Sequence, residues 1–505
     1  MPGTRTRPGT RSKPHWMRER SAGREVAERS VEGRRVRGRD SGRSYEAAKT
    51  TRVNRKHWLD ALGGEADKTI LPALATLRNR SRYEIRNNGY AEGMVETHVA
   101  DVVGPNGPSL EIESDDEAWN QAAEQFLSEY FTYCDASGVD EFVEQLKLGV
   151  RQLWECGEIF AQKITDPESG TPVRMRVLVI EPDRVATPGG FEGQDGVRGG
   201  VKVNANSRPI EYYVLKQHPG SLSYLASPSS FDTVPARDMI HVFRRNRPGQ
   251  TRGVPWLAPV LDDFGHLRDY DTDTMLAARM AAMLAAYAYT DNPDVEFDDL
   301  ETDLPIWNLE PATLSFLPHG WKMSQLKPEH PSTQYKDFKH EKLAGIGRVV
   351  GMPYLKIAAD AAGHNYSSAR LDDQGYWDIV ETIQSFLSRR LCNRIALPVL
   401  QEAWLSCALG PPPVAWKATW VWNQRKHVDP LKEEQASILR LASGTTTWAA
   451  ECMARGRDWR DVFKQLKKEM AFAAEQGLKL DFGALVMKAA EIIKKQAATP
   501  EDEEA

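Results

Sequence analysis

Four side chains near the middle of the chain have the types and the spacing to do chemistry. Asp262, His266, Asp269 and Asp273 recur at i, i+4, i+7 and i+11, which places them along one face of an α-helix. Carboxylates and an imidazole on one face can hold a divalent metal, so one hypothesis is a metal-dependent nuclease. The other hypothesis is a solvated acidic stripe with no ligand.

Motifs elsewhere in the chain favour the second hypothesis. The sequence contains no Walker A motif, no G-x-S-x-G and no H-E-x-x-H, and the glycines of residues 345–351 lack the spacing of a dinucleotide-binding loop. The five cysteines form no C-x-x-C pair, which argues against a zinc ribbon and a disulfide framework. We therefore expect no catalytic residue, no metal and no cofactor.

A long helix must carry the acidic face. A stretch rich in glycine and proline, residues 249–256, precedes a helix predicted from Leu261 to Tyr289, which would be about 43 Å long at ~1.5 Å per residue. The second half of this helix is rich in alanine and suits close packing against copies of itself. If several copies form a ring with the acidic face inward, the lumen repels phosphates and lets a duplex slide.

Length and charge divide the chain into an arm and a body. The 505 residues have room for two or three domains. Residues 1–56 hold 17 Lys/Arg and 6 Asp/Glu, a charge of +11, so the remainder carries −17. The arm is predicted to be disordered, either as a solubilising tail or as a contact to nucleic acid or an acidic partner. The longest apolar run, 275–289, is too short to span a bilayer, and no signal peptide is visible.

The remaining pattern predicts an α+β fold that is mainly helical. Helices are expected over 71–103, from a capping box at Ser114 and Glu117 through Tyr133, and over 140–155. Residues 157–245 form a β-rich block, with a hairpin turn at 204–209. Later segments are then predicted in order: a helix over 333–350, a loop over 358–366, and a helix over 367–397 that continues past a kink at Pro398 to about Leu405. A strand with alternating Trp416, Trp420 and Trp422 follows, and then helices from 429 onward. The three tryptophans are expected to face the core, and a contact between subunits is the alternative.

Four stretches in this order resemble the portal proteins of tailed bacteriophages, in particular the lambda-like family. They are Arg86-Asn87-Asn88-Gly89-Tyr90-Ala91; Ile240-His241-Val242-Phe243 followed by Gly249-Gln250-Thr251-Arg252-Gly253-Val254-Pro255; Ile346-Gly347-Arg348-Val349-Val350-Gly351-Met352-Pro353 leading to Asn365-Tyr366-Ser367-Ser368-Ala369-Arg370; and Asp429-Pro430-Leu431-Lys432-Glu433-Glu434 through Gly444-Thr445 and Arg455-Gly456-Arg457-Asp458. The resemblance covers nearly residues 60–470.

The resemblance implies a portal-type fold and a set of domains. Its regions are a basic arm (1–56), a wing (57–250), a first stem helix (251–290), a clip (291–332), a second stem helix (333–357), a tunnel loop (358–366), a wing helix with a return strand (367–428) and a crown (429–505). It implies a non-enzymatic ring, expected to have twelve subunits, at one capsid vertex of the virion. Double-stranded DNA passes through the ring during packaging and ejection.

The resemblance also implies partners and site residues. The expected partners are other copies of the chain, DNA, terminase, the major capsid or scaffold protein and a head-completion protein, with no membrane and with assembly in the host cytoplasm. The expected channel residues are Lys356, Asp360, His364, Asn365, Arg370, Asp262, Asp269 and Asp273; the expected clip docking residues are Trp307, Phe316, His319 and Trp321. A metal-dependent nuclease and a monomeric nucleic-acid-binding protein remain the alternatives.

Overall fold

The computed structural model describes eleven parts of the chain. They are residues 51–59, 61, 63–189, 192–221, 230–283, 286–290, 321–325, 334–360, 366–424, 430–454 and 459–475. The chain forms two compact units, residues 1–64 and 65–505. In the first unit, residues 52–59 form consecutive turns. Of the arm predicted to be disordered, residues 1–56, only 51–56 are described, and residues 52–56 of these belong to the turns. All elements below belong to the second unit.

Two helices replace the single one predicted over 71–103. Helix α1 spans Ala66–Asn87 and helix α2 spans Gly89–Val103. The break falls at Asn88, whose side-chain oxygen accepts the backbone N–H of Tyr90 at 3.0 Å. Asparagine is a favoured N-cap because its side chain satisfies a backbone donor that the first turn leaves open. The prediction of one continuous helix was therefore wrong at a capping residue.

Two helices of the predicted wing pack on a sheet whose strands are distant in sequence. Helix α3 spans Glu117–Phe131 and α4 spans Phe142–Glu155. Strand β1, Ser109–Ser114, pairs antiparallel with β11, Trp416–Val421. Because Ser114 ends a strand, the predicted capping box is wrong: Asp116 caps α3 by accepting the N–H of Trp119 at 3.0 Å.

Residues 158–243 form the predicted β-rich block. The bounds are β2 Glu158–Thr165, β3 Met175–Ile180, β4 Val197–Arg198, β5 Val201–Val203, β6 Pro209–Leu215, β7 Phe231–Pro235 and β8 Met239–Phe243. One sheet has the order β3-β2-β8 and the other β4-β5-β6-β7. The hairpin between β5 and β6 is confirmed, and the Asn204 side chain accepts the N–H groups of Asn206 and Arg208 within its turn.

The first stem helix is shorter than predicted. Helix α5 spans Leu261–Met283, and Ala286–Thr290 form strand β9, which pairs antiparallel with β10, Trp321–Gln325. The helix of 23 residues is therefore about 35 Å long at ~1.5 Å per residue. Alternation of alanine and tyrosine over 286–289 has the period of a strand, and tyrosine favours strands. The prediction of a helix through Tyr289 was wrong for this reason.

The chain after β10 forms two helices between residues 334 and 358, and not one. Helix α6 spans Gln334–Gly347, and a short helix α7, Tyr354–Ala358, follows. Ala359 ends α7 in a left-handed conformation with φ of 50°. The predicted tunnel loop, residues 358–366, therefore begins at residue 359 and not at 358. Residues 361–365 of the loop lie outside the described residues.

A long helical segment, the predicted wing helix, precedes β11. Helix α8 spans Tyr366–Leu387, a π-helical turn spans Ser388–Cys392, and α9 spans Asn393–Leu405. Pro398, where a kink was predicted, lies inside α9, and the continuation of the helix to Leu405 is confirmed. Trp420 and Trp422 are buried as predicted, and their indole N–H groups donate to Asn393 and Ser388.

Three helices in the predicted crown close the described chain. They are α10, Pro430–Ala442; α11, Trp448–Ala454; and α12, Trp459–Glu475. The helical pattern predicted from residue 429 is confirmed up to Glu475. One large apolar core joins α2, α3 and α4 to the first turns of α5 and to α8 and α9. A smaller core lies between the two sheets of the β-rich block. Within the described residues, no helix is both long and apolar enough for a membrane span.

Candidate functional site

The loop before α5, residues 249–253, is the centre of a buried network of ion pairs, called here the clamp. Arg252 is 2 % exposed and reaches the carboxylate of Glu158, with Nη2 at 2.7 Å from Oε1. Its other donors bond the carbonyl oxygens of Val185 at 2.7 Å and Pro182 at 3.0 Å. Bidentate pairing of this kind is what the planar guanidinium group favours. One arginine therefore joins the start of β2 to the chain segment that follows β3.

Glu158 gathers four partners from different parts of the chain. Besides Arg252 it pairs with Arg78 of α1, bonds the His241 ring at 3.0 Å and accepts the backbone N–H of Gly253 at 2.8 Å. Burial would raise the pKa of Glu158, but the charges of Arg252 and Arg78 and the hydrogen bond from His241 outweigh it and hold the pKa well below its usual range. The carboxylate is fully enclosed and has no open coordination position, so its role is structural.

Two glycines allow this clamp to close. A Cβ added to Gly253 would lie 2.1 Å from the carbonyl oxygen of Gly157, and one added to Gly157 would lie 2.0 Å from the Val254 carbonyl carbon. Gly157 also has φ of 81°. Any side chain at either position would push the base of the stem away from β2. The glycine that ends the 249–253 motif is thus required by a close approach of two backbones.

The same motif fastens the start of α1. Thr251 donates both its backbone N–H and its hydroxyl to the buried carboxylate of Asp67, each at 2.9 Å. Gln250 donates to the carbonyl oxygen of Arg252 at 2.8 Å and accepts the N–H of Asn246 at 2.9 Å. Residues 249–253 therefore fix α1, β2 and the base of α5 relative to one another, and so aim the stem.

Two lysines of α6 form ion pairs with carboxylates of α5. Lys342 of α6 pairs with Asp263 at 2.9 Å, and Lys339 pairs with Asp271 at 3.0 Å. Tyr335 also donates its hydroxyl to Asp271 at 2.7 Å. Burial would lower the pKa of Lys339, but its hydrogen bonds to Asp271 and Tyr335 outweigh burial and raise the pKa. The carboxylates of α5 that face α6 are therefore neutralised by partners.

The predicted acidic face points away from these partners. Asp262, His266, Asp269 and Asp273 are all exposed and share one face of α5, as the spacing predicted. Their ligand atoms do not come together within 4.8 Å, so the predicted alternative of a metal site on this face is not supported by the described residues.

The described chain contains one set of potential metal ligands that does come together, namely Glu181, Asp183 and His218. Arg82 already pairs with both carboxylates, at 3.1 Å in the case of Glu181. Nδ1 of His218 accepts the N–H of Gly220 at 2.9 Å, which leaves the ring proton on Nε2, the atom that faces Glu181. A metal ion bound by these three residues would need an unprotonated Nε2, which this hydrogen bond does not leave. The set is therefore a cluster of ion pairs and not a metal site.

Lys356, predicted as a channel residue, is anchored within the subunit. Its ammonium pairs with Asp101 of α2 at 2.8 Å and Asp373 of α8 at 3.5 Å, and lies over the Tyr376 ring at 4.7 Å. These contacts join the last helix before the tunnel loop to the first helix after it. The structure thus ties both ends of the loop to α2 through one lysine.

An aromatic cluster beneath Lys356 joins the same elements to the stem. The ring of His98 lies 5.3 Å from Trp154, 5.7 Å from Trp256 and 6.3 Å from Tyr376, measured between centroids. Burial, and then the charge of Lys356, lower the pKa of His98 to about 3. The ring is therefore neutral, and Nδ1 accepts the indole N–H of Trp154 at 3.1 Å.

Replacing Lys356 with methionine tests this anchor. Methionine keeps the packing of the alkyl chain of the lysine. It leaves Asp101 and Asp373, whose side chains are each about four-fifths enclosed, without the lysine charge. We expect a loss of about 1–3 kcal/mol in the free energy of unfolding, measured with denaturant. Lys417→Met is the control, because Lys417 meets Glu113 at 3.9 Å on an exposed surface and should cost under ~1 kcal/mol. Equal losses in the two variants would contradict the anchor.

The other predicted site residues are placed as follows. Asp360 is half-buried just after α7, and Arg370 is exposed on the first turns of α8. Trp321 begins β10. His364, Asn365, Trp307, Phe316 and His319 lie outside the described residues.

The clamp residues Glu158, Arg78 and Asp67 were not anticipated from the sequence. Glu158 is 80 residues from Arg78 and 94 from Arg252, so no local spacing connects them. The available signal was Arg252 itself, a charged residue between glycines and prolines in a loop that precedes a helix. Such a residue marks either a binding site or, as here, a buried partner elsewhere in the chain.

Enclosed ion pairs join α1, β2 and the loop before α5, and further ion pairs join α5 to α6. Residues 53–384 match the family described as phage portal protein, lambda family. The chain therefore belongs to the lambda family of phage portal proteins, as the four sequence stretches predicted. It is a non-enzymatic component of the phage particle that forms the portal as a ring of identical subunits, and neither alternative function is retained.

Relatives are similar along most of their length. The probable portal protein of Halomonas phage phiHAP-1 is 25% identical over 466 residues, covering 87% of this chain and 89% of the relative. Portal protein B of Escherichia phage lambda is 23% identical, covering 82% and 86%. Among solved structures, the neck of a native gene transfer agent particle with C12 symmetry is 15% identical with a TM-score of 0.44, covering 78% of this chain and 95% of that one.

Proposed function

We propose that this portal is a ring of twelve subunits at one capsid vertex, through which double-stranded DNA enters during packaging and leaves during ejection. The exposed face of α5, with Asp262, Asp269 and Asp273, lines the channel. Assembly takes place in the host cytoplasm, and the major capsid or scaffold protein surrounds the ring. The number of subunits and these partners follow the resemblance to the lambda-like portals.

One observation carries the channel assignment: one exposed face of α5 carries three carboxylates and no lysine or arginine, whereas the exposed cations Arg279, Lys336 and Arg348 lie elsewhere on the two helices or directly after α6. Lys339 and Lys342 are held by Asp271 and Asp263 inside the hairpin, and Arg268 is held by the buried Glu84 of α1 at 2.8 Å. The face that a DNA-binding protein would furnish with lysine and arginine instead carries acids.

An acidic lining suits a channel through which DNA must move. Phosphates gain most of their affinity for proteins from lysine and arginine, so an acidic wall offers no place to stick. Screening limits the repulsion to about 8 Å at physiological salt, which is short enough to act only on DNA close to the wall. The duplex is therefore kept off the wall without being excluded from the channel.

The clip and the tunnel loop complete the proposal. The clip, residues 291–332, would dock terminase during packaging and head-completion proteins afterwards. Its proposed contact residues are Trp307, Phe316, His319 and Trp321. The tunnel loop would meet the DNA through Asp360, His364, Asn365 and Arg370, while Lys356 holds its base.

Crosslinking from the tunnel loop tests the channel directly. In a background with Cys407 and Cys452 replaced by serine, His364→Cys carrying a photoactivatable reagent should crosslink to DNA in filled phage heads. Val139→Cys on the wing is the matched control, because Val139 is 80% exposed and far from the loop in sequence. We expect DNA adducts with the first variant and none with the second. Intact filled heads without a His364→Cys adduct would refute the loop assignment.

A further inference from the structure

The last described helix of the crown carries an apolar face that its neighbours leave open. Trp459, Val462, Phe463, Leu466, Met470 and Ala473 recur at helical spacing on α12. Phe463 and Met470 are each 45% exposed, and only Ala473 among the six is buried. Trp448 of α11 meets Phe463 edge to face at 6.4 Å and is itself 60% exposed. Exposed aromatic and aliphatic side chains in one stripe mark a surface that another element covers.

A different side of α12 fixes the helix to the wing. Arg460 pairs with Glu117 at 3.0 Å and with Glu124 at 2.9 Å, both on α3. The open stripe is therefore not the surface by which the crown meets the wing. It is free to receive an element that follows in the chain.

The sequence directly after α12 has the matching pattern. Gly477 comes two residues after the helix, where glycine commonly ends one. Phe482, Leu485, Val486, Ala489, Ile492 and Ile493 then recur at helical spacing among lysines and glutamates. These residues lie outside the described part of the chain. Their pattern predicts one further amphipathic helix, with a connection to α12 short enough to favour an antiparallel neighbour.

The two apolar patterns are in register. If the chain reverses at 477–478, each residue of the second helix faces the α12 residue equally far from the turn. Met470 then faces Leu485, Leu466 faces Ala489, and Phe463 faces Ile492. Val462 and Ala473 likewise face Ile493 and Phe482, so five apolar positions of α12 meet apolar positions, while Trp459 faces Gln496 and Val486 faces Glu469. We propose that residues 482–493 cover the open face of α12 in the same subunit and complete the crown as an antiparallel helical pair.

Disulfide trapping in the full-length chain tests the pair. In the background without Cys407 and Cys452, Met470→Cys with Leu485→Cys places two Cβ atoms at the separation that a disulfide needs, roughly 3.5–4.5 Å. Phe463→Cys with Ile492→Cys is a second predicted pair. Lys468→Cys with Leu485→Cys is the matched control, because Lys468 lies at nearly the same height on the opposite, exposed face of α12.

Mild oxidation followed by a denaturing gel separates the outcomes. We expect each predicted pair to form a link within one chain, seen as a monomer of altered mobility, at least several-fold more than the control pair. A link that joins two chains would overturn the proposal, because the occupant would then be the neighbouring subunit. Equal linking in predicted and control pairs, or no linking in either predicted pair, would also overturn it.

Discussion

Replacing Glu158 with alanine is expected to lower the free energy of unfolding by about 3–5 kcal/mol, the cost of breaking a buried ion pair by removing one partner. Arg252 and Arg78 would keep their charges in an enclosed site, since their side chains are 3% and 5% exposed. The base of the stem would also lose its bond from the Gly253 N–H. Denaturant unfolding of the purified chain measures the change.

Glu113→Ala is the control for this prediction. Glu113 meets Lys417 at 3.9 Å, and both side chains are about two-thirds exposed. Exposed pairs of this kind contribute roughly 0–1 kcal/mol. If Glu158→Ala cost no more than Glu113→Ala, the clamp would not hold the stem base as described.

Acid should weaken the same clamp. The pKa of Glu158 is depressed in the folded chain, so its contribution is complete above the unfolded value of about 4.3. That contribution is lost as the pH falls from there toward the folded pKa. The difference in stability between the wild type and Glu158→Gln should therefore be constant from pH 7 to 5 and shrink below about pH 4.

Giving the proposed channel face a positive charge is expected to have the second large effect. The triple variant Asp262→Lys, Asp269→Lys and Asp273→Lys presents three ammonium groups per subunit where the wild type presents three exposed carboxylates. Six to ten phosphate contacts make affinity fall by roughly 10³–10⁵-fold between 50 and 200 mM salt. We expect the variant ring to retain a linear duplex at low salt with this steep dependence, and to yield few filled heads in complementation.

The triple asparagine variant separates charge from shape. It removes the carboxylate charges with nearly the same side-chain volume, so it should form rings and fill heads close to the wild-type level. Normal head filling by the lysine variant, with rings intact, would show that DNA does not pass along this face. Failure of both variants to form rings would place the three carboxylates in a subunit contact instead.

Local chemistry made part of the fold predictable. Asparagine and proline around 204–209 signalled the hairpin between β5 and β6, and the alternating tryptophans signalled the buried side of β11. The spacing of Asp262, Asp269 and Asp273 correctly placed them on one face of α5. Each of these signals lies within a dozen residues, where backbone geometry alone connects cause and structure.

Errors came where a tertiary partner or a single cap decided the outcome. Residues 286–290 are strand because they pair with 321–325, and an alanine-rich run next to a helix concealed this. Lys356 was predicted to face the channel because it lies beside the predicted tunnel loop. In the structure it pairs with Asp101, which lies 255 residues earlier in the chain. Glu158 gave no local signal because its three charged or titratable partners come from α1, β8 and the loop before α5.

A three-dimensional reconstruction of the purified full-length ring tests the central claim most directly. The account predicts a closed ring of twelve subunits in which Asp262, Asp269 and Asp273 of every copy point into the axial channel, while Lys339 and Lys342 stay paired inside each stem. A ring whose channel is lined by another face of α5, with these carboxylates turned outward or buried between subunits, would contradict it.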